Sequence, residues 1–93
     1  MLVYLFIIFF SFAFTDSYNM QLLGRLEFDQ QTSDITGFYQ DGREFAVVGL
    51  QSTTAFVDVT IPNESFEVGR IEGGTSMWRD VKYWNRHVYI GTE

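Results

Sequence analysis

Gly24-Arg25-Leu26, then Ser33-Asp34-Ile35, then Ala46-Val47-Val48-Gly49 is a phrase the chain says twice. The second copy is Gly69-Arg70-Ile71, Arg79-Asp80-Val81 and Tyr89-Ile90-Gly91-Thr92, offset by 45 residues at its start and 43 at its end. A repeat of about 40–50 residues made of short strands is the signature of a β-propeller blade. The intervening sequence agrees. No long apolar stripe at helical spacing runs through it, and β-branched and aromatic residues are frequent.

Working outward from the repeat, seven short strands are bounded by turn residues. The first spans Gln21 to Phe28 and ends in the polar stretch Asp29 to Ser33. The second, Ile35 to Gln40, stops at Asp41-Gly42, a two-residue hairpin signal because both residues tolerate positive φ. The third, Glu44 to Leu50, is almost continuously apolar and reads as buried on both faces. The fourth, Thr54 to Val59, alternates Phe56 and Asp58 with Val57 and Val59. A turn at Ile61-Pro62-Asn63-Glu64 follows, with proline where no ladder N–H is needed. The fifth spans Phe66 to Glu72, the sixth Arg79 to Trp84 and the seventh His87 to Thr92, the last two joined at Asn85-Arg86. Strands two to five form one antiparallel four-stranded meander, and strands six and seven open the next. Strand one shares its phrase with strand five and so reads as an outer strand displaced from another blade.

The expected fold is therefore all-β: about one and a half four-stranded propeller blades, over residues 20–93. A propeller needs four or more blades, so the chain reads as the N-terminal fragment of a longer protein. A self-standing small β-sandwich is the alternative.

Residues 1–15 carry no charge and hold six of the 17 aromatic residues. The run Leu2 to Phe10 has the length of a signal-peptide core, and Ser11-Phe12-Ala13 supplies small residues for cleavage after Ala13. The reading is an N-terminal signal helix, removed on secretion, followed by a polar linker at 16–19. The n-region lacks Lys and Arg; an uncleaved anchor is the other reading, although the run is short for a span of about 20 residues. Secretion places the protein outside the cell or on its surface.

The remainder carries 12 acidic and 6 basic residues, a formal net charge of −6. That excludes a nucleic-acid partner, because phosphate binding needs a basic surface. It leaves the membrane reachable only through the signal segment or through an anchor beyond these residues. There is no cysteine, so burial and sheet hydrogen bonds must hold the domain. At roughly 80 residues that is marginal.

The words themselves resemble a family. Gly42-Arg43-Glu44-Phe45-Ala46-Val47-Val48-Gly49-Leu50, Thr54-Ala55-Phe56-Val57-Asp58-Val59-Thr60, Glu67-Val68-Gly69-Arg70-Ile71 and Trp78-Arg79-Asp80-Val81-Lys82 look like the opening of choice-of-anchor B proteins. These are secreted or surface propellers built of LVIVD-type repeats. The resemblance covers residues 20–93. Ile61 stands where the family has an acidic residue before proline, which weakens the capping of that turn. The resemblance implies location and fold, and carries over little biochemical activity.

Candidate chemistry is sparse. Asp58, just before a turn, is expected to accept the following backbone N–H groups. Asp34 and Asp80 begin the innermost strands of consecutive units, near one mouth of a propeller channel, with Arg79 and Trp78 beside them. A ring of such carboxylates could take Ca²⁺ through oxygen ligands. The plainer reading has each aspartate capping its loop and pairing with a neighbouring arginine. His87 has no serine or cysteine partner that would make a triad. Gly73-Gly74-Thr75-Ser76 precedes a strand, so no helix N-terminus receives a phosphate there, and it reads as the connection between blades. Asn63-Glu64-Ser65 is a glycosylation sequon in an exposed turn. Trp78, Tyr83 and Trp84 read as blade core, with a sugar-stacking platform as the alternative. These readings point to a binding or surface-interaction module for an extracellular protein or glycan. The alternative is an extracellular hydrolase or lyase whose catalytic residues lie on further blades.

Overall fold

The computed structural model describes residues 19–92. The expected signal segment and most of the linker lie outside the described residues. Six strands are present among those described: β1 (Thr32–Gln40), β2 (Arg43–Leu50), β3 (Thr53–Asp58), β4 (Phe66–Glu72), β5 (Asp80–Trp84) and β6 (His87–Gly91). The first four form one antiparallel sheet in the order β1-β2-β3-β4, and the last two a separate hairpin. The protein is thus all-β, a four-stranded meander followed by a second, two-stranded sheet.

The turns explain the order. Asp41 and Gly42 both take positive φ, 52° and 81°, the backbone of the two-residue turn that matches strand twist. Asn85 and Arg86 do the same at 49° and 63°. The β3–β4 connection is a single 3-10 turn at Pro62–Glu64; Ile61 before it offers no side-chain cap, as its apolar side chain dictates.

Register decides which residues share a face. Phe38 lies opposite Phe45, and Phe45 opposite Asp58; Thr36 lies opposite Val47, and Val47 opposite Phe56. That face turns toward β5. Phe38 stacks on Phe45 (ring centroids 5.1 Å apart) and on Tyr83 of β5 (4.7 Å), so aromatic packing joins the two sheets. Val47 and Val81 are fully buried. The reverse face carries the core cluster Val48, Leu50, Ala55 and Val57, with Phe28, Ala46 and Val59 packed against it. Because β2 contributes to both faces, its run Val47 to Leu50 is buried throughout, as its unbroken apolar sequence predicts. Burying each such aliphatic side chain contributes about 1.5–3 kcal/mol.

Two bulges interrupt the ladders. One lies in β1 between Thr32 and Ile35, where Ser33 and Asp34 share one position opposite β2. The other lies in β4 opposite Phe56 and Val57. Neither was legible in the strand pattern.

The first expected strand, Gln21 to Phe28, is a correction. The segment pairs in no ladder. It runs over the reverse face of the meander, where Phe28 touches the core cluster and Asp29 pairs with Arg70 of β4 at 3.2 Å. Gln30 holds its end: its Oε1 accepts from Ser52 N (3.0 Å), Ser52 Oγ (3.1 Å) and Thr53 Oγ1 (3.3 Å). A β-strand exists only with a partner for its N–H and C=O groups, and no strand lies beside this one among the described residues. Its strand-like composition therefore produces an extended covering segment. Trp78 and Trp84 are a second correction. Both are exposed, at 70% and 73%, rather than blade core: Trp78 lies in the connection before β5, and among the described residues no sheet covers the outward side of the β5–β6 hairpin that carries Trp84. Tyr83, on the inward side, is packed as expected.

Candidate functional site

The residues singled out at the starts of the inner strands gather where β1 and β5 begin, but with unequal roles. The β1 bulge is the organising element. It directs the Ser33 hydroxyl onto two carbonyls, Gly49 O at 3.2 Å and Arg79 O at 2.9 Å. It also turns Asp34 toward β5, where the carboxylate accepts the Val81 backbone N–H at 3.1 Å and lies 3.9 Å from Lys82 Nζ. Bulges commonly re-aim a side chain in this way. The Val81 N–H, then the Ile35 N–H, hold the Asp34 carboxyl below its ordinary value, with help from the Lys82 charge. Asp34 thus caps the strand of the neighbouring sheet, not its own loop, and its cationic neighbour is a lysine.

Arg79 does not present its guanidinium to solvent. The residue is 2% exposed. Its Nε donates to Leu50 O at 2.9 Å, and Nη2 donates to Gln51 O at 3.3 Å and to Gly74 O. One arginine thereby ties the β2–β3 turn to the Gly73-Gly74-Thr75-Ser76 connection. Backbone bonds run alongside, Gly73 N to Ser52 O at 2.9 Å and Ser76 N to Gln51 O at 2.8 Å. The glycines serve that approach: a side chain at Gly73 would meet the Arg79 guanidinium. The glycine-rich loop is therefore the connection between sheets that its place before a strand suggested.

Trp78 and Asp80 remain at the surface. With Gln31, Thr32, Ser33, Met77 and Arg79 they line a cleft of about 280 Å³, and Ser76 Oγ fixes the approach by accepting Trp78 N–H at 3.1 Å. Asp34 lies outside this cleft, in a neighbouring hollow with Leu26, Phe28 and Ile35. Among the described residues, no group of three or more His, Cys, Asp or Glu side chains comes together. What the cleft offers chemically is a flat aromatic face, one carboxylate and the Thr32 hydroxyl, the Ser33 hydroxyl being engaged on Gly49 O and Arg79 O. Such a set suits stacking and hydrogen bonding.

The other sequence candidates fall apart in space. Asp58, buried before its turn, accepts the Thr60 N–H at 3.0 Å, the role its position indicated. It also pairs with Arg43 across the sheet. Arg43, above all, holds its carboxyl down at about 2. His87 sits exposed at the start of β6, its Nδ1 2.7 Å from Asn85 O. Asn63 is exposed on the 3-10 turn.

Sequence reasoning missed one concavity. A cavity of about 500 Å³ lies between the extended segment and the reverse face of the meander, walled by Leu22, Leu23, Leu26 and Phe28 on one side and Ile35, Ala46, Val48 and Val57 on the other. Gly24 touches the Pro62 carbonyl at its end. The available signal is the apolar pattern of residues 22–28, which strand periodicity places in a ladder. No protein family, curated protein or solved structure matches the chain.

Proposed function

We propose that the repeat units are consecutive blades of a secreted or cell-surface β-propeller of the LVIVD kind, acting as a binding module for an extracellular protein or glycan. The observation that carries this reading is how the second unit meets the first. β5 docks on β1 through Ser33 on the Arg79 carbonyl, Asp34 on the Val81 amide and Phe38 on Tyr83. First strands of successive four-stranded units facing one another is the arrangement propeller blades require. The apolar run before Ala13 supports export, and the net charge of −6 disfavours nucleic acid and anionic membranes.

The binding surface in this reading is the cleft at the starts of β1 and β5, where Trp78 supplies the stacking face and Asp80 the carboxylate. Calcium enters only as a probe of the Asp34 and Asp80 expectation, because Asp34 lies in the neighbouring hollow with its carboxylate on the Val81 N–H. The test is tryptophan fluorescence of the secreted chain, titrated with calcium and with a panel of neutral and acidic oligosaccharides. The native chain responds to at least one probe, and Trp78→Ala removes the response. An undiminished response in Trp78→Ala would sink the cleft as the site. An unchanged calcium affinity in the Asp34→Asn/Asp80→Asn double variant would remove the ion. Protein recovered from the medium should begin at Phe14.

A further inference from the structure

The sequence holds three asparagines, Asn19, Asn63 and Asn85, and only Asn63 has a hydroxyl residue two positions on, as Asn63-Glu64-Ser65. Glu64 occupies the middle position, where proline would block a sugar acceptor. The fold sets this triplet on a single projecting turn. Asn63 and Glu64 belong to the 3-10 turn Pro62–Glu64, none of whose residues is buried, and Asn63 itself is exposed. The turn is held on every side. Glu64 N–H donates to Ile61 O at 2.8 Å, and the Ser65 hydroxyl donates to Pro62 O at 2.9 Å. Before it, Val59 N–H donates to Glu44 O, and Glu44 N–H to Thr60 Oγ1, both at 2.9 Å, which fixes the approach against the start of β2. The asparagine is thus presented on a braced protrusion.

Its place in the sheet is equally specific. β5 packs on β1, and the order β1-β2-β3-β4 puts the β3–β4 connection on the side away from that contact. Along the strands it lies at the end opposite the cleft. Thr32 of the cleft is registered with Leu50, whereas Asp58, next to the turn, is registered with Phe45 near the other end of β2. A bulky polar group on Asn63 therefore meets neither the Trp78–Asp80 cleft nor the joint between sheets. Ile61 and Phe66, half-exposed on either side of the triplet, are apolar surface that such a group would screen.

We propose that Asn63 carries an N-linked oligosaccharide. The inference rests on the export proposed above, since the donor, an oligosaccharide on a polyprenyl diphosphate, is met across the exporting membrane. In the transfer, Asn63 Nδ2 bonds to the anomeric carbon of the first sugar and loses one proton. The bond from that carbon to the diphosphate oxygen breaks, and the lipid diphosphate leaves with its electron pair. No oxidant or reductant takes part. The product is a bulky, solubilising surface group, at the end of the meander turned away from the cleft.

Cell-free translation of the full chain with endoplasmic-reticulum microsomes tests it. Protection from added protease scores export, and gel mobility scores the sugar. The protected native chain should run as one slower band that endoglycosidase H collapses. Asn63→Gln and Ser65→Ala should be protected but unshifted, while Ser65→Thr, which keeps the hydroxyl, should retain the shift. Ser65→Ala also removes the bond to Pro62 O; Asn63→Gln leaves both groups of that bond in place and so reads the acceptor alone. A protected native chain without the shift overturns the proposal and leaves export standing. A native chain that the protease destroys overturns both. A shift that survives in Asn63→Gln puts the sugar on another residue and overturns the assignment.

Discussion

Replacing Arg79 by methionine isolates the bond network that joins the two sheets. Methionine keeps an apolar stem of similar length and removes every donor. Three carbonyl oxygens lose their partner, those of Leu50, Gln51 and Gly74. A hydrogen bond from a charged donor contributes about 1.5–3 kcal/mol, and a buried acceptor left unmet costs about 1–3 kcal/mol. Gln51 and Gly74 are exposed and regain water, whereas Leu50 has no exposed surface, so its carbonyl stays unmet. The Gln51 bond is also long, at 3.3 Å. The sum is a loss of about 3 kcal/mol, a large share of the 5–15 kcal/mol that hold a domain together. Urea unfolding followed by circular dichroism measures it, with the slope checked for constancy. Amide exchange locates it: the Gly73 and Ser76 N–H groups, bonded to Ser52 O and Gln51 O, should exchange about a hundredfold faster, since each 1.4 kcal/mol is a factor of ten. Arg79→Lys should recover about half the loss, because an ammonium is a point charge without the guanidinium's fork. A methionine variant within ~0.5 kcal/mol of the native chain, or unchanged exchange at Gly73 and Ser76, would refute the assignment.

Three further outcomes follow from the geometry. Asp58, at about 2, and Asp34 both bind protons less readily folded than at the ordinary value of 3.8. The stability they contribute is complete above about pH 5 and is lost as pH falls through about 4 toward 2; Asp58→Asn should flatten that acid limb of the urea midpoint, and an unchanged limb would disprove the coupling. Arg86 holds φ at 63° in its turn, so Arg86→Gly should raise stability by about 0.5–1 kcal/mol, read as a higher melting temperature. Phe38→Ala removes both ring stacks and should cost about 2–4 kcal/mol; a normal far-ultraviolet spectrum with a Tyr83 resonance moved to its exposed position would mark undocking of the hairpin rather than loss of the meander.

Much of the architecture was readable from local signals. The strand Phe66 to Glu72 matches β4 end to end, and the Asp41-Gly42 turn takes the backbone its residues favour. β1 begins at Thr32 instead of Ile35 because its bulge carries the ladder past a polar pair that alternation could not place. What escaped the sequence shares one cause: it depends on residues distant in the chain. Among the described residues, Gln21 to Phe28 has strand composition but no partner, and Trp84 has core composition but no covering sheet. Arg79, next to an aspartate in sequence, takes its partners from carbonyls about 28 residues away. The candidate site was legible as a location, since Trp78 and Asp80 do share a cleft, but not as a set, since Asp34 and the Arg79 guanidinium are committed to holding the sheets together.

An antiparallel pair can slide by two residues and still leave every apolar side chain on its own face. Alternation alone would not detect that error between β1 and β2. The bulge at Ser33 does. In the native alignment the Ser33 hydroxyl reaches both Gly49 O and Arg79 O, the second of them 46 residues along the chain. A slipped β1 would keep its ladder but present the wrong residue to the arriving hairpin. Docking of β5 thus proofreads the first hairpin: only a correctly aligned meander retains its second sheet.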